Sequence, residues 1–162
     1  MVYNTRSPKQ LEIIRKHVDF KGKRVIDLGC GYGDITRGAV DDGAAHVVGV
    51  DKDGTILNST ANRYITHVAA DIEDYKPSND YDVAICFSVL PYLKDPMRFL
   101  ERMSRLADKS LIECQYVGDG PGFVRDDAEM KEILLTFWNT ALPIGKTEVA
   151  YRNVERTIWL CR

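Results

Sequence analysis

The residues best suited to chemistry are one acid and three closely spaced glycines near the start of the chain. Asp27 lies in an apolar run that stops at Gly29, Gly31 and Gly33, and an apolar helical pattern follows. This order predicts a strand, a tight turn and a helix. Glycine lets the backbone approach a ligand closely, and the free N–H groups at the start of the helix can donate hydrogen bonds. The stretch is therefore predicted to hold a polar, nucleotide-like ligand.

The glycine spacing separates two kinds of nucleotide site. A dinucleotide-binding fingerprint, G-x-G-x-x-G, would put its third glycine at position 34, but that residue is Asp34. The stretch Asp27-Leu-Gly29-Cys-Gly31-Tyr-Gly33 resembles instead the first motif of the class I S-adenosylmethionine (SAM)-dependent methyltransferases, acid-x-Gly-x-Gly-x-Gly. The resemblance implies that this acid and these glycines bind SAM.

Length and composition predict one globular domain spanning residues 1–162, since 162 residues are too few for two ordinary domains. The net charge of −2 does not favour nucleic-acid binding. We also expect no membrane contact, because no apolar run has membrane-spanning length and the polar start is unlike a signal peptide. The four cysteines lack metal-ligand spacing, so we expect no metal site. Buried, reduced thiols would fit a cytoplasmic protein.

The charge is unevenly distributed along the chain. Residues 1–24 carry seven Lys or Arg and two acids, whereas residues 25–82 carry four and eleven. The basic start is either a solvated helix face or a surface that receives an anionic substrate. The pattern leaves both interpretations open.

Strands alternate with helices along most of the chain, which predicts an α/β fold with a doubly wound, mostly parallel sheet and helices on both faces. The last two strands are joined by a turn at Arg152-Asn153 that is too short for a parallel connection, so they form an antiparallel hairpin. The family resemblance implies seven strands in the order 3-2-1-4-5-7-6, the last inserted between the fifth and sixth. Besides the glycine-turn unit, we expect helices over 7–18 (capped by Ser7), 53–64, 95–106 (beginning at Asp95) and 127–139, and strands over 46–50, 66–70, 81–87, 111–116, 144–151 and 155–161.

Two acids follow the second and third predicted strands, where ligands bind in open α/β sheets. Asp51 suits the two hydroxyls of a ribose, and the resemblance implies that role; the alternative is a helix cap, for which Asp53 is better placed. Lys52 either covers the adenine or is solvated. The resemblance implies that Asp71 accepts from the adenine amino group and that the backbone of Ile72 donates to the ring. The alternative for Asp71 is an ordinary turn residue.

Two further predictions concern the methionine part of the cofactor. The resemblance implies that backbone carbonyls at Phe87 and Ser88, where the fourth strand ends, face the methionine ammonium. Asp27 lies in a strand buried on both faces, where an unpaired charge is costly. Its partner is therefore predicted to be the loop amides, the methionine amino group, or both.

The sequence gives evidence about the methyl acceptor only through the motifs that it lacks. Phe87-Ser-Val-Leu replaces the Asn-Pro-Pro-aromatic motif of adenine-N6, cytosine-N4 and glutamine methyltransferases, and no Pro-Cys dipeptide marks a cytosine-C5 nucleophile. The chain resembles the branch that methylates small molecules. Any general base is expected at the rim, and the pattern does not choose among the candidates. These are Tyr92, Glu113, Gln115, Tyr116, Asp119 and Arg125.

The resemblance implies in-line methyl transfer from SAM to a small-molecule acceptor, releasing S-adenosylhomocysteine (SAH). Two rivals remain: a catalytically silent SAM-binding subunit that activates a partner, and an NAD-dependent oxidoreductase. The loop 117–125 is either a lid or an ordinary surface loop. A chain this short leaves few walls for the acceptor site, which makes a homodimer that completes the site a hypothesis to test.

Overall fold

The computed structural model describes residues 6–53, 62–77, 80–149 and 154–162. Within these residues seven strands form one sheet in the order β3-β2-β1-β4-β5-β7-β6. β1 to β5 are parallel, and β7 runs antiparallel to both β5 and β6. The predicted strand order and terminal hairpin are therefore confirmed. The strands are β1 Arg24–Leu28, β2 His46–Asp51, β3 Ile65–Ala69, β4 Tyr81–Phe87, β5 Ala107–Glu113, β6 Ala141–Val149 and β7 Val154–Cys161.

Helices cover both faces of the sheet, as predicted. Alternate residues of β4 point to opposite faces, so Ala84 and Cys86 join one apolar cluster while Val83 and Ile85 join the other. The first cluster includes the helices α3 and α4, and the second includes α1 and α2. The helices are α1 Ser7–Arg15, α2 Asp34–Asp41, α3 Pro96–Met103 and α4 Asp127–Phe137, with a 3-10 turn at Leu90–Tyr92. Among the described helices, none has both the length and the apolar character needed to cross a membrane.

Several element ends differ from the sequence expectations. Ser7 is not the cap of α1 but its first residue, because the helix begins one residue earlier, after Arg6. The fifth strand covers Ala107–Glu113 rather than 111–116, since its pairing with β4 begins at Ala107. Asp95 does cap α3, accepting a hydrogen bond from the Arg98 N–H at 3.0 Å.

The predicted helix over 53–64 lies mostly outside the described residues, because positions 54–61 belong to the undescribed part of the chain. Residues 62–64 are not helical. Tyr64, the last residue of the predicted helix, is 39 % exposed. The turn at 152–153 also lies outside the described residues.

Candidate functional site

The glycine turn between β1 and α2 has the backbone geometry that its sequence predicted. Gly29, Gly31 and Gly33 have φ angles of 80°, 50° and 76°, in the left-handed region that favours glycine. A Cβ atom at Gly29 would lie 2.4 Å from the Val89 side chain, whereas one at Gly31 would meet nothing within 4 Å. The turn is therefore closely packed against the end of β4 on one side and open on the other.

Asp51, at the end of β2, holds this turn in place. Its Oδ2 accepts from the Gly31 N–H at 2.9 Å, and its Oδ1 accepts from the Asp53 N–H at 3.0 Å. A carboxylate oxygen has two acceptor positions. Each oxygen of Asp51 therefore keeps one position for a ligand while it stabilises the loop.

Two cavities meet above the carboxyl ends of β1, β2 and β4, and both are lined by Gly29 and Ser88. The larger has a volume of about 310 Å³ and the smaller about 120 Å³. The larger is also lined by Asp51, Lys52, Asp71, Ile72, Glu73, Val89, Tyr92 and Leu93, and the smaller by Ser7, Gln10, Asp27, Cys30, Gly31, Tyr32, Asp34, Ile35 and Phe87. All ten sequence-predicted cofactor residues except Gly33 line one of them.

The loop after β3 forms one wall of the larger cavity. Asp71 makes a local turn, accepting from the Glu73 N–H at 2.9 Å. Glu73 in turn accepts from the N–H groups of Lys94 and Asp95, at 2.9 and 2.8 Å. Arg102 of α3 donates to the carbonyl of Ile72 at 2.8 Å. Two backbone N–H groups and the Arg102 side chain, all from the segment after β4, thus fix this wall in position.

Asp27 is buried beside the smaller cavity, with 3 % of its surface exposed. Its Oδ2 accepts from the Thr36 hydroxyl of α2 at 2.7 Å, a partner that the sequence analysis did not identify. Burial raises the pKa of Asp27 to about 6; the hydrogen bond from Thr36 opposes this shift, and the Asp51 charge adds to it. A cationic ligand group in this cavity would therefore favour the charged carboxylate.

Ser88, directly after β4, has the positive φ angle of 60°, which is costly for a residue other than glycine. Its hydroxyl donates to Glu113 at 2.7 Å and accepts from Arg6 and Arg156, both at 3.0 Å. Its N–H donates to the Glu113 carbonyl at 2.8 Å. Side chains from distant parts of the chain therefore hold Ser88 in a strained conformation at the junction of the two cavities.

Glu113, at the end of β5, is fully buried and accepts four side-chain hydrogen bonds. The donors are Arg6 at 2.9 Å, Gln10 at 3.0 Å, Ser88 at 2.7 Å and Thr147 at 2.6 Å. These four donors fill the acceptor positions of the carboxylate, so Glu113 is a structural centre and not a base at the rim. We call the set Arg6, Gln10, Ser88, Glu113, Asp119, Thr147 and Arg156 the Glu113 network.

The rim candidates lie in different environments. Tyr92 lines the larger cavity and is 62 % exposed. Tyr116 and Asp119 line neither cavity: the Tyr116 hydroxyl donates to Asp127, and the buried Asp119 pairs with Arg156. Partial burial and the nearby Asp127 raise the pKa of Tyr116, which makes it a poor base at neutral pH.

The remaining two candidates, Gln115 and Arg125, also interact with other residues of the chain. Gln115 is buried and donates to the Ser88 carbonyl at 3.1 Å, while Arg125 pairs with Glu129 on the surface. Of the six candidates, Tyr92 is the one that lines either of the two cavities.

Backbone hydrogen bonds hold the base of the loop 117–125 together. The Val117 N–H donates to the Val124 carbonyl at 2.7 Å, and the Phe123 N–H donates to the Gln115 carbonyl at 2.9 Å. Val124 is 1 % exposed. The loop is a compact structure with a buried anchor, and its role as a lid stays a prediction.

The two cavities fit the ligand that the sequence motif implied. The larger one combines two acids with the apolar side chains of Ile72, Val89 and Leu93, a lining suited to a ribose and a purine ring. The smaller one offers the Asp27 carboxylate to an amino group, and the open position above Gly31 leaves room for ligand atoms. An adenosine linked to an amino acid would thus find a complementary group for each of its parts.

Comparison with known proteins gives an independent result. A family model described as a methyltransferase domain matches residues 25–110. The ubiquinone biosynthesis O-methyltransferase of Neisseria meningitidis serogroup C is 29 % identical over 110 residues, covering 62 % of this chain and 46 % of the relative. The tRNA U34 carboxymethyltransferase of Alteromonas mediterranea is 31 % identical over 170 residues, covering 93 % of this chain and 51 % of the relative. The chain thus spans about half the length of these curated relatives.

Solved structures share the fold at low sequence identity. The 1,6-didemethyltoxoflavin-N1-methyltransferase of Burkholderia thailandensis, solved with SAH, superposes with a TM-score of 0.79 at 15 % identity, covering 99 % of this chain and 79 % of that one. The magnesium protoporphyrin IX methyltransferase of Synechocystis, solved with SAM, gives 0.75 at 18 % identity, covering 96 % and 77 %.

Proposed function

Because the chain belongs to the class I SAM-dependent methyltransferase family, we propose that it binds SAM in the two joined cavities and transfers the methyl group to a small-molecule acceptor, releasing SAH. The observation that carries this proposal is the pair of cavities meeting at Gly29 and Ser88. Asp27, Asp51 and Asp71 line these cavities and lie at or near the carboxyl ends of three neighbouring strands of the sheet. Ligands of open α/β sheets bind at such a position.

The larger cavity would hold the adenosine. The free acceptor positions of Asp51 would receive the ribose hydroxyls, and its contact with the Gly31 N–H would couple ribose binding to the shape of the turn. Asp71 would accept from the adenine amino group through the oxygen that is not used in its own turn. The backbone N–H of Ile72 would donate to the ring, and Lys52 would lie over the adenine.

The smaller cavity would hold the methionine part. Asp27 would face the ammonium, together with backbone carbonyls at Phe87 and Ser88. The Ser88 carbonyl already accepts from Gln115 at 3.1 Å, which leaves it one acceptor position. Gly31 and Gly33 would let the backbone follow the ligand closely.

When bound, SAM supplies the electrophilic methyl group, so the protein need only position the acceptor and exclude competing reactions. Alignment of two reactants can contribute about 7–11 kcal/mol at best. The Glu113 network fixes Ser88 at the junction of the cavities, next to where the reacting groups would meet. Tyr92 is the rim candidate placed to contact the acceptor.

A small-molecule acceptor is supported by one of the two curated relatives, which is named as an enzyme of ubiquinone biosynthesis. The other is named as a tRNA enzyme, but the net charge of −2 does not favour a nucleic-acid partner here. An acceptor screen should therefore begin with small phenols, carboxylic acids and amines, and include tRNA as the competing class.

The test is calorimetric titration of the purified protein with SAM, SAH and NADH. We expect both adenosyl ligands to bind, NADH to show no binding, and Asp51→Ala to weaken SAH binding about 10- to 100-fold by removing acceptors for two ribose hydroxyls. NADH binding without SAH binding would replace the proposal with an oxidoreductase.

A catalytically silent SAM-binding subunit is the second candidate, and one observation favours it. Five of the six rim candidates for a general base line neither cavity. A silent subunit would bind SAH as tightly as an enzyme but produce no SAH from SAM with any acceptor until a partner protein is added. Measuring SAH release in the acceptor screen, with and without cell extract, separates the two.

The organisation of the protein also enters the proposal. All described strands belong to one sheet, which supports a single methyltransferase domain over residues 1–162. The four cysteines are free thiols, which supports a reducing, cytoplasmic location.

A homodimer would add walls to the exposed surface around Tyr92. Elution as a monomer in size-exclusion chromatography, with full activity, would remove that part of the proposal.

A further inference from the structure

Gln10 belongs to α1, outside the glycine motif, yet it lines the smaller cavity together with Asp27. Its side chain is 1 % exposed. A buried amide has an acceptor oxygen and two N–H donors that need partners. The partners of Gln10 therefore indicate what the cavity is built to receive.

The orientation of the Gln10 amide is determined by Glu113. Its Nε2 donates to Glu113 Oε1 at 3.0 Å. The opposite orientation would place the amide oxygen against a carboxylate, and two acceptors would repel each other. The nitrogen must therefore face Glu113, and the oxygen is left for another partner.

That oxygen, Oε1, is buried and has no hydrogen-bond partner in the part of the chain that the structure describes. An unsatisfied buried acceptor is costly, so native proteins rarely leave one without a ligand or water. The same cavity is lined by Asp27, whose carboxylate has more acceptor positions than the Thr36 hydroxyl and N–H together use. The cavity thus offers two oxygen acceptors, one of them a carboxylate. A compact, positively charged group with several N–H donors would complement both.

We propose that Gln10 Oε1 accepts a hydrogen bond from the α-ammonium of the bound cofactor, and that Gln10 and Asp27 together form the ammonium subsite. An ammonium group has three donors in a compact cation, which matches two oxygen acceptors that line one small cavity. A metal ion matches less well, since no cluster of three metal-ligating side chains occurs in the described residues. Glu113 is then a positioning residue, because it orients the amide. This inference rests on the proposed function.

The experiment compares two ligands that differ only in the ammonium group: SAH and its deaminated analogue, 5′-S-(3-carboxypropyl)-5′-thioadenosine. Dissociation constants are measured by calorimetry for the wild type and for Gln10→Met, which keeps the length of the side chain but removes the amide. Gln10→Ala serves as a second variant. Thr147→Val is the matched control, because Thr147 also donates to Glu113 Oε1, at 2.6 Å, but lines neither cavity.

We expect Gln10→Met to weaken SAH binding about 10- to 100-fold, as for the loss of a hydrogen bond to a charged group, and to change binding of the deaminated analogue less than threefold. Thr147→Val should change neither by more than about threefold, because it disturbs the same carboxylate without touching the cavity. The circular dichroism and melting curves of each variant establish that it is folded.

Three results would overturn the inference. Unchanged SAH binding by folded Gln10→Met and Gln10→Ala would show that the oxygen has no ligand. Equal losses for both ligands, or an equal loss in Thr147→Val, would show that the effect passes through Glu113 and not through the ammonium. A wild type that binds no SAH would remove the proposed function itself, which is a separate outcome.

Discussion

The two ends of the candidate site lie on the same edge of the sheet but are built in different ways. The cofactor end, which comprises the glycine turn, Asp51 and Asp71, is held by short-range contacts such as the Asp51–Gly31 hydrogen bond, 20 residues apart. The Glu113 network is held by contacts such as those from Arg6 and Gln10 to Glu113, which span 107 and 103 residues. The first region is fixed largely by its own backbone, and the second forms only when the whole domain has folded.

This difference implies that the two regions respond differently to mutation. Changes to the two acids of the cofactor end should mainly affect ligand binding, because Asp51 and Asp71 are partly exposed and water can replace the ligand. Changes in the Glu113 network should mainly affect stability, because its charges are buried and depend on one another. The following experiments test that contrast, beginning with the largest expected effect.

Glu113→Ala should destabilise the protein most. It removes the acceptor of four hydrogen bonds, one of which is the ion pair with Arg6, whose side chain is 14 % exposed. Breaking a buried ion pair from one side costs about 3–5 kcal/mol. Urea titrations should show a loss of that size in the free energy of unfolding.

Asp51→Ala is the matched variant from the other region and should cost about 1 kcal/mol, as for the loss of ordinary hydrogen bonds. If the two substitutions destabilise the protein equally, the contrast between the regions is wrong. Glu113→Gln, which keeps the shape but not the charge, should fall between them.

Gly29→Ala tests the close packing of the turn. The added Cβ would lie 2.4 Å from Val89, and the φ angle of 80° is unfavourable for alanine. Left-handed backbone costs about 1–2 kcal/mol and overpacking about 1–3 kcal/mol, so we expect a loss of about 2–5 kcal/mol in the free energy of unfolding. SAH binding should also be lost.

Val89→Ala in the Gly29→Ala background separates the two causes. Removing the Val89 methyl groups should recover the overpacking part but not the backbone part. A double variant no more stable than Gly29→Ala would show that Val89 is not the obstacle. Gly31→Ala, which has free space but a φ angle of 50°, isolates the backbone cost.

Much of the cofactor end could be predicted from sequence because its signals are local. Asp51 and Asp71 follow apolar runs, and the glycine spacing is visible within seven residues. Thr36, the partner of Asp27, lies nine residues away across the turn, and no local pattern marks it. The sequence indicated only that a buried carboxylate needs a partner.

The Glu113 network could not be predicted in the same way. Glu113 and Asp119 were expected at the rim, but burial and four donors make Glu113 a structural centre. Its partners Arg6 and Gln10 come from the first helix region, and Arg156 comes from β7. Such pairings depend on which helix and strand become neighbours, and hydrophobic periodicity does not specify the polar contacts between them.

Asp27→Asn should stabilise the fold at neutral pH but weaken cofactor binding. The pKa of Asp27 is about 6 in the folded protein, above about 3.9 in an unfolded chain, so the folded state holds more protons between these values. Stability from this group is therefore fully present below about pH 4 and declines as the pH rises through 6. At pH 7 the free energy of unfolding of the asparagine variant should exceed that of the wild type by up to about 3 kcal/mol. At pH 4 the two values should be equal.

The same group should make cofactor binding dependent on pH. An ammonium ligand favours the charged carboxylate, so SAH should bind less tightly as the pH falls below about 6, by at most about tenfold per pH unit. Calorimetry from pH 5 to 8 measures this slope, and Asp27→Asn should abolish it while lowering the affinity at pH 7. A wild-type affinity that is constant across this range would place the ammonium away from Asp27.

Tyr92→Phe should have the smallest effect on folding and cofactor binding. Its side chain is 62 % exposed at the rim of the larger cavity, and surface substitutions usually change stability by less than about 0.5 kcal/mol. SAH affinity should also change less than about twofold, because the retained ring still covers the cavity. If the hydroxyl contacts the acceptor, methyl transfer should fall while SAH binding does not. A loss of SAH affinity would instead show that the Tyr92 hydroxyl contacts the cofactor and not the acceptor, and Tyr92 would then belong to the cofactor end.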